Sequence, residues 1–313
     1  MKGKDLLSVS DLSGEDIHLL ISDAVDMKAR GWLSSLSEKV LALIFEKPSL
    51  RTRVSFEVAM RQLGGHAIHL SPAEVGLGRR ESVSDVARVL SRYVDAIVAR
   101  TFSHQTLEIL ASYSSVPVIN ALSDLEHPCQ ALADLLTIYE KKGELDGLTL
   151  AFIGDGNNVA HSLLLAASLM GMNFRIASPA GCRVQQGILA LAQDYATGSG
   201  AEILCTEEPH LAVSQADVVY TDVWTSMGQE AEAEERRQIF TGYQVNSELL
   251  SLAKEDAILM HPLPAHSGEE VADGILDSLQ SVVFDQAENR MHLQKALLGQ
   301  MLGGLEIPLT GYR

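Results

Sequence analysis

The chain has 313 residues, a length that suits two domains of ordinary size better than one core. Its 46% of hydrophobic and 21% of charged residues are typical of a globular protein and exclude the disordered and fibrous classes. The formal net charge of −17 argues against a nucleic-acid partner, because the phosphate backbone of a duplex would be repelled.

The cysteines and the hydropathy pattern indicate the cellular setting. Three widely spaced cysteines, without a Cys-x-x-Cys pair, predict neither a disulfide framework nor a zinc site. The amino terminus lacks the apolar core of a signal peptide, and no segment approaches the ~18 consecutive apolar residues of a membrane span. We therefore expect a cytoplasmic protein with no membrane partner.

The first elements of the chain predict a strand that leads directly into a helix. Residues 11–35 have the pattern of a helix capped by Ser13 or Asp16. The apolar run at 40–45 predicts a strand that is buried on both faces. Beyond this strand, apolar residues recur at helical spacing until a Gly-Gly pair ends the pattern.

The turn between this strand and helix, Ser49-Leu50-Arg51-Thr52-Arg53, predicts an anion site. Free N–H groups and the helix dipole already favour an anion at a helix N-terminus. Arginine can donate two parallel hydrogen bonds to a phosphate, and hydroxyls can bind its remaining oxygens. The turn alone also allows a simpler interpretation, in which Ser49 or Thr52 caps the helix and the arginines are solvated.

Two more strands are predicted in the first half of the chain. A loop at 74–82, rich in glycine and charge, and a helix at 82–93 precede them. Residues 95–100 predict a buried strand that ends in Arg100, and residues 116–121 predict the next strand. In α/β sheets the carboxyl end of a strand faces the crevice where ligands bind, so Arg100 is predicted to face a ligand.

His127 and Gln130 stand on either side of Pro128, at the predicted start of a further helix. This spacing lets both side chains point at one small polar group, to which histidine can donate and glutamine can donate or accept. Taken alone the pattern is weak, and a loop histidine with a structural hydrogen bond is the alternative.

After a polar segment at 139–147, the predicted domain boundary, the second half returns to an α/β alternation. A strand at 148–153 and a glycine-rich turn resemble the opening of a dinucleotide-binding unit. Val159 occupies the third glycine position of that motif, which argues against a nicotinamide cofactor. Further strands, separated by predicted helices, favour a parallel sheet covered by helices. They are predicted at 173–177, 202–205, 217–222 and 257–260.

Two strand ends in this half carry candidate residues. Asp222 ends one strand, where a carboxylate can hold an ammonium group; the alternative is a capping aspartate beside a core Trp224. The strand at 257–260 leads into His261-Pro262-Leu263-Pro264. The last helix runs towards Leu302 and is expected to pack back on the first domain.

Five separated segments resemble, in order, the signatures of the aspartate/ornithine carbamoyltransferase family. They are Lys47–Glu57, His127-Pro128-Cys129-Gln130, Asp222-Val223-Trp224-Thr225-Ser226-Met227-Gly228, His261-Pro262-Leu263-Pro264 and Val282–His292. Three positions depart from the family pattern: Leu50 replaces a Thr, Gly76 replaces a Gln, and Pro262 replaces the Cys of ornithine-specific members. His-Pro-Leu-Pro is more typical of aspartate-specific members, whereas the Ser-Met-Gly segment resembles the ornithine-recognition loop.

The resemblance implies a role for each candidate position. The catalytic residues would be Arg51, Arg100, His127 and Asp222. Carbamoyl phosphate would be bound by Ser49, Leu50, Arg51, Thr52, Arg100, His127, Gln130, Pro262, Leu263 and Arg290. Ornithine would be bound by Asn158, Asp222, Ser226 and Met227. No metal and no organic cofactor is implied.

The resemblance also implies an α/β fold with two domains, each a parallel sheet flanked by helices. The carbamoyl-phosphate domain is expected at 1–138, the ornithine domain at 139–285, and a C-terminal helix that returns to the first domain at 286–313. The implied reaction is attack of the neutral side-chain amine of L-ornithine on carbamoyl phosphate, which gives L-citrulline and phosphate. Family members generally form trimers, so a homotrimer or a multiple of trimers is expected.

Three alternative functions remain open from the sequence. A carbamoyltransferase for aspartate, putrescine or an acylated ornithine would keep the phosphate site and change the loop after Asp222. An oxidoreductase would need the complete glycine fingerprint, which Val159 interrupts. A non-enzymatic relative would be expected to lose Arg51, Arg100 or His127, and all three are present.

Overall fold

The computed structural model describes residues 1–31, 35–78, 80–225 and 230–303. The chain forms two compact units. The first contains residues 1–124 together with the chain from Arg290 onward, and the second contains residues 125–289.

The first unit is built on a parallel sheet with the strand order β2-β1-β3-β4 in the described residues. The strands are β1 (Val40–Phe45), β2 (His66–Leu70), β3 (Ala96–Arg100) and β4 (Val118–Leu122). The helices are α1 (Gly14–Arg30), α2 (Leu50–Gln62), α3 (Pro72–Val75), α4 (Val83–Leu90) and α5 (His104–Tyr113), with a short 3-10 helix at Val9–Asp11. The two central strands, β1 and β3, are almost entirely buried, as expected for a sheet covered on both faces.

The second unit is a parallel sheet with the order β7-β6-β5-β8-β9 in the part that the structure describes. Its strands are β5 (Thr149–Ile153), β6 (Asn173–Ala177), β7 (Ile203–Thr206), β8 (Val218–Thr221) and β9 (Ile258–Met260). Its helices are α6 (Pro128–Lys142), α7 (Asn158–Leu169), α8 (Gln186–Ser199), α9 (Pro209–Val213), α10 (Ala233–Ile239) and α11 (Ser247–Leu250), with 3-10 helices at Glu230–Glu232 and Ile275–Asp277. Residues 128–138 of α6 are all buried, so this part of the helix is covered on every side.

The last helix, α12 (Val283–Leu302), begins in the second unit and ends in the first. Its C-terminal part buries Leu293, Leu297 and Met301 in the first unit. The amide of Gly3 donates to the carbonyl of Met301 at 3.0 Å, and Gln300 Nε2 donates to Asp23 Oδ2 at 2.7 Å. The predicted return of the C-terminal helix to the first domain is confirmed.

The predicted fold class, two parallel sheets flanked by helices, is also confirmed. The predicted strand at 40–45 and the one at 173–177 have the observed bounds, and the others differ by one or two residues. Ser13 caps α1 through a reciprocal pair of hydrogen bonds with Asp16. The three cysteines all lie within the described residues, and none of them forms a disulfide bond. Among the described residues, no helix has the length and apolar content that crossing a membrane requires.

The sequence did not predict β2 or α5, and it predicted a loop where α3 forms. β2 is an edge strand whose residues are exposed or half-buried, so it lacks the apolar run that marks the central strands. α6 continues through Tyr139 to Lys142, which lie within the polar segment predicted as the domain boundary. Gly143 ends this helix with φ +84°, a left-handed conformation that favours glycine.

Candidate active site

The turn after β1 forms a polar cradle at the N-terminus of α2. Ser49 is the N-cap, and its Oγ accepts a hydrogen bond from the Thr52 amide at 3.3 Å and donates to Thr52 Oγ1 at 3.0 Å. Arg290 Nη2 donates to the same Thr52 oxygen at 2.6 Å. The capping role, which the sequence offered as an alternative to anion binding, therefore exists within a larger group that includes an arginine.

Three guanidinium groups of the first unit act on one another at this cradle. Arg100, at the carboxyl end of β3, is only 6% exposed, and its Nε has no hydrogen-bond partner among the described residues. Burial and, to a smaller extent, the nearby charges of Arg290 and Arg51 together lower the pKa of Arg100 to about 10. Burial also lowers the pKa of Arg51. Buried like charges are unfavourable unless an anion compensates them, so this arrangement favours an anionic ligand.

The other residues of the predicted phosphate turn face solvent. Leu50 is the first residue of α2 and its side chain is 77% exposed, so it contributes no polar group. Its backbone amide belongs to the helix N-terminus, where N–H groups have no partner within the helix. Arg53 Nε donates to Glu57 Oε1 at 2.8 Å on the exposed face of α2.

His127 and Gln130 lie at the start of α6, both almost fully buried. His127 is the N-cap residue, and its amide donates to Ser162 Oγ at 2.9 Å. Ser162 in turn donates to Glu126 Oε2 at 3.0 Å. Gln130 Nε2 donates to Asp134 Oδ1 at 2.8 Å, one helical turn further on. The predicted pair is therefore held at a helix N-terminus by neighbouring buried groups.

The segment before His127 is fixed by a neutral histidine that the sequence did not identify. The backbone amide of Gln185 donates to His161 Nε2 at 3.1 Å, so the ring proton is on Nδ1. Nδ1 then donates to the carbonyl of Leu125 at 2.8 Å. Burial lowers the pKa of His161, which favours this neutral tautomer.

Asp222 follows β8 directly and is 8% exposed. Its Oδ2 accepts a hydrogen bond from Asn157 Nδ2 at 2.8 Å, and its Oδ1 accepts from the Val223 amide at 2.8 Å. Burial raises the pKa of Asp222, while His261 and Asn157 oppose this increase. The carboxylate is thus poised for a cationic or hydrogen-bond-donating ligand, which would stabilise its charged form.

Asn157 was missed by the sequence, which singled out the neighbouring Asn158. Asn157 caps α7, because its Oδ1 accepts from the amides of Val159 and Ala160 at 3.0 and 3.1 Å. Asn158 is the first residue of that helix and is half-buried. An Asn before an apolar helix is a cap signal, and the proximity of a cap to Asp222 appears only in the fold.

The glycine-rich turn after β5 packs against protein. A Cβ on Gly156 would lie 2.2 Å from the backbone nitrogen of Val184, so this glycine is explained by close packing. Asp155 pairs with Arg236, whose Nε donates to the carbonyl of Trp224. Burial, helped by the nearby charge of Asp222, outweighs the opposing effect of Arg236 and raises the pKa of Asp155 to about 6.

The segment after β9 is held by the side chain of His261. The amide of Leu263 donates to His261 Nδ1 at 2.9 Å, so the ring proton is on Nε2. Nε2 then donates to Glu270 Oε1 at 3.1 Å. Leu263 adopts φ +54°, a left-handed conformation that costs a non-glycine residue about 1–2 kcal/mol. Pro262 is buried. The hydrogen bond to His261 therefore holds Leu263 in a conformation that is otherwise disfavoured.

The structure thus brings the predicted residues together in two groups. Ser49, Arg51, Thr52, Arg100 and Arg290 form the cradle of the first unit. In the second unit, Asp222 and the His261 segment are linked through electrostatic contact. Ser226, Met227 and Arg79 lie outside the described residues. The two parallel sheets define a two-domain α/β protein. Its strand ends carry an arginine cradle, which suits an anionic ligand, and a buried carboxylate, which suits a cationic one.

The comparisons with known proteins agree with this class. The family description "Aspartate/ornithine carbamoyltransferase, carbamoyl-P binding domain" matches residues 4–140, and "Asp/Orn binding domain" of the same family matches residues 146–301. The chain belongs to the aspartate/ornithine carbamoyltransferase family.

Individual relatives match over nearly their whole length. An ornithine carbamoyltransferase of Anoxybacillus flavithermus is 55% identical over 306 residues, which cover 96% of this chain and 98% of the relative. An anabolic ornithine carbamoyltransferase of Pyrococcus furiosus is 51% identical over 310 residues, or 98% of each chain. The solved structure of ornithine carbamoyltransferase from Pyrococcus furiosus has a TM-score of 0.94 at 51% identity, covering 97% of this chain and 99% of that one.

Proposed function

We propose that this protein transfers the carbamoyl group of carbamoyl phosphate to the side-chain amine of L-ornithine, giving L-citrulline and phosphate. The observation that carries the proposal is the mutual repulsion of Arg51, Arg100 and Arg290, of which Arg290 donates to the buried Thr52 hydroxyl. Such a cluster needs an anion, and the full-length similarity to ornithine carbamoyltransferases supports carbamoyl phosphate as that anion.

In this proposal the phosphate binds at the N-terminus of α2. Arg51 donates to its oxygens, together with the backbone amide of Leu50. The Ser49 hydroxyl turns from Thr52 Oγ1 to the phosphate, and the Thr52 hydroxyl can then donate at the junction of the phosphate and the carbonyl group. Arg290, which already donates to Thr52, fixes that hydroxyl and adds positive charge. The bound dianion would also relieve the repulsion among the arginines.

The carbamoyl end of the substrate is polarised by separate donors. Arg100, His127 and Thr52 stabilise the negative charge that grows on the carbonyl oxygen as the amine attacks, an electrostatic effect that is largest where water is excluded. Gln130 contacts the carbamoyl amide, and the backbone carbonyls of Pro262 and Leu263 accept from it. Because the donors are fixed before the reaction, little reorganisation is needed in the transition state.

Ornithine is held by Asp222 and Asn158, with Ser226 and Met227 as further contacts. The attacking amine must be neutral, because an ammonium group has no lone pair. Attack on the carbonyl carbon forms the new C–N bond and breaks the bond to the phosphate oxygen. The departing phosphate or Asp222 accepts the amine proton, and the raised pKa of Asp222 suits it to that exchange.

The remaining parts of the proposal concern organisation. The reaction uses no cofactor or metal. The functional domains are 1–138 for carbamoyl phosphate and 139–285 for ornithine, with the C-terminal helix from 286; the family matches at 4–140 and 146–301 support this division. The protein works in the cytoplasm as a homotrimer or a multiple of trimers, as the resemblance implies.

The test is a stoichiometric assay with purified protein, carbamoyl phosphate and L-ornithine. Citrulline and phosphate should form in a one-to-one ratio. Phosphate release without citrulline, at the rate seen in the absence of ornithine, would contradict the proposal.

One alternative acceptor is favoured by a specific residue. Pro262 stands where ornithine-specific members usually have Cys, and the resulting His-Pro-Leu-Pro is more typical of aspartate-specific members. The relatives that are 51% and 55% identical are named for ornithine, which supports ornithine over aspartate, putrescine or an acylated ornithine.

A further inference from the structure

A buried polar cluster lies in the second unit, and the reaction as proposed above does not use it. We call Asp134, Tyr220 and Gln286 the Asp134 cluster; all three are at most 1% exposed. Tyr220 OH donates to Asp134 Oδ2 and Gln286 Nε2 donates to Asp134 Oδ1, both at 2.8 Å. Gln286 Nε2 also donates to the Tyr220 oxygen at 3.1 Å. The three residues come from α6, β8 and α12, so the cluster joins three elements of one unit.

The first substrate-binding residue attached to this cluster is Gln130. Its Nε2 donates to Asp134 Oδ1 at 2.8 Å. A carboxylate only accepts hydrogen bonds, so this contact fixes which end of the Gln130 amide faces Asp134. The carbonyl end of the same amide is then directed away from Asp134, as an acceptor suited to the N–H groups of a carbamoyl amide.

The cluster also supports the two other polar segments of this unit. Tyr220 lies on β8, two residues before Asp222. Gln286 Oε1 accepts a hydrogen bond from the His261 amide at 2.9 Å, immediately before Pro262 and Leu263. A displacement of any member would therefore move Gln130, the end of β8 or the segment after β9.

We propose that the Asp134 cluster positions the carbamoyl-binding end of the active site by fixing the Gln130 amide and the His261 amide to one buried carboxylate. This inference rests on the proposed function, in which Gln130, Pro262 and Leu263 contact the carbamoyl group. Tyr220, Asp134 and Gln286 are positioning residues, because the proposed function assigns them no contact with the substrate.

The chemistry of the cluster favours a positioning role over simple packing. Apolar residues of the same volume would fill this space without the cost of burying a charge. A buried carboxylate with several donors instead specifies one arrangement, because any other leaves a buried polar group unpaired. Burial and the adjacent Asp134 raise the pKa of Tyr220 well above its usual value, so its hydroxyl remains a donor.

The decisive experiment compares the binding of two ligands to Tyr220→Phe. Phosphonoacetamide, in which CH2 replaces the bridging oxygen of carbamoyl phosphate, carries both the phosphonate and the carbamide end. Inorganic phosphate carries only the end assigned to the arginine cradle. Titration calorimetry should show that Tyr220→Phe binds phosphonoacetamide about tenfold more weakly than the wild type does. A loss of this size corresponds to about one hydrogen bond. The affinity for inorganic phosphate should change by less than about twofold.

Two further variants separate positioning from stability. Tyr243→Phe is the matched control, because its hydroxyl donates to the Glu207 carbonyl at 2.8 Å in the same unit, outside the Asp134 cluster. It should lower the melting temperature and leave both affinities unchanged. Asp134→Asn should keep most of the affinity, since its amide oxygen still accepts from Gln130 and its NH2 can donate to the Tyr220 oxygen. Asp134→Leu removes every acceptor and should weaken phosphonoacetamide binding at least as much as Tyr220→Phe.

The proposal is overturned if Tyr220→Phe binds phosphonoacetamide with an affinity within about twofold of that of the wild type. It is also overturned if the affinities for phosphonoacetamide and for inorganic phosphate fall by the same factor. Because these comparisons use binding alone, they do not depend on turnover. An absence of citrulline formation by the wild type would count against the proposed function. Equal affinity of Tyr220→Phe and the wild type for phosphonoacetamide would count against the positioning role.

Discussion

At the scale of single residues, the buried charge of Arg100 lowers the stability of the folded protein, and we propose that the same charge binds the substrate. Arg100 is buried, and its Nε has no hydrogen-bond partner in the part of the chain that the structure describes. Burial, together with the charges of Arg290 and Arg51, lowers its pKa to about 10. Such a residue is unfavourable for the folded protein until an anion binds. In the proposed reaction, a bound dianion offsets this cost, and the Arg100 guanidinium then donates to the carbonyl oxygen of the reacting group.

Arg100→Met tests this conflict. Removing the buried charge should raise the free energy of unfolding by about 1–2 kcal/mol, and loss of the donor should lower kcat by about 10²–10³-fold. Arg88→Met, on the exposed face of α4, is the control and should change neither by much. Denaturant unfolding and citrulline assays measure the two effects. A variant that is less stable than the wild type, or as active, would contradict the account.

A second prediction at this scale concerns the missing hydroxyl at Leu50. Its side chain is 77% exposed at the N-terminus of α2, where the family usually has Thr. Leu50→Thr should therefore cost little stability and strengthen phosphonoacetamide binding by about threefold to tenfold, the effect of one added hydrogen bond. Leu50→Val, which has the same shape as Thr without the hydroxyl, should bind like the wild type. Equal affinities for the Thr and Val variants would indicate that no hydroxyl at this position reaches the ligand.

At the scale of elements, the start of α7 performs two tasks through one side chain. Asn157 Oδ1 caps the helix, and its Nδ2 donates to Asp222. The strand end that carries Asp222 is thereby tied to a helix terminus. Two elements that are distant in sequence then share the placement of one carboxylate.

Asn157→Asp separates these tasks. A carboxylate caps a helix as well as an amide does, so the stability of α7 should be retained. The new charge replaces a donor beside Asp222, and repulsion should raise the pKa of Asp222 further. The KM for ornithine should rise about tenfold while the KM for carbamoyl phosphate changes little. Asn157→Ser keeps a cap without the charge and should have a smaller effect; an unchanged ornithine KM in Asn157→Asp would contradict this role.

Much of the fold could be predicted because the relevant signals are local. The apolar run of β1, the Ser13 cap and the placement of Arg100 at a strand end are all visible within short segments. β2 was missed because an exposed edge strand has no such run. Within the candidate site, the bond between Asp134 and Tyr220 joins residues 86 positions apart, and no single-sequence pattern relates them. Contacts of this kind appear only when the sheet is assembled.

At the scale of the whole molecule, an acidic chain of net charge −17 contains several carboxyls whose pKa is raised mainly by burial. They are Asp5, Asp23, Asp155 and Asp222. A carboxyl whose pKa is higher in the folded than in the unfolded state binds its proton more tightly when folded. Its contribution to stability is present below the unfolded pKa and is lost as the pH rises through the folded pKa.

Asp155 gives this effect a pH window, because its pKa rises from 3.8 to about 6. Asp155→Asn cannot titrate, and its amide oxygen can still accept from Arg236. Relative to the wild type, this variant should therefore gain about 2 kcal/mol between pH 4 and pH 7. Urea unfolding across this range, with the exposed Asp194→Asn as the control, measures the change. A difference in stability that is independent of pH would contradict the account.

The central proposal, that the protein transfers the carbamoyl group of carbamoyl phosphate to L-ornithine, is tested most directly by acceptor specificity. The measurement is kcat/KM at saturating carbamoyl phosphate for L-ornithine, L-aspartate, putrescine and N-acetylornithine, with citrulline or the corresponding carbamoylated product quantified. We predict that kcat/KM for ornithine exceeds kcat/KM for each other acceptor by at least about 100-fold. This result would also show that Pro262 is compatible with ornithine as the acceptor. Turnover of aspartate, putrescine or N-acetylornithine, without turnover of ornithine, would contradict the proposal.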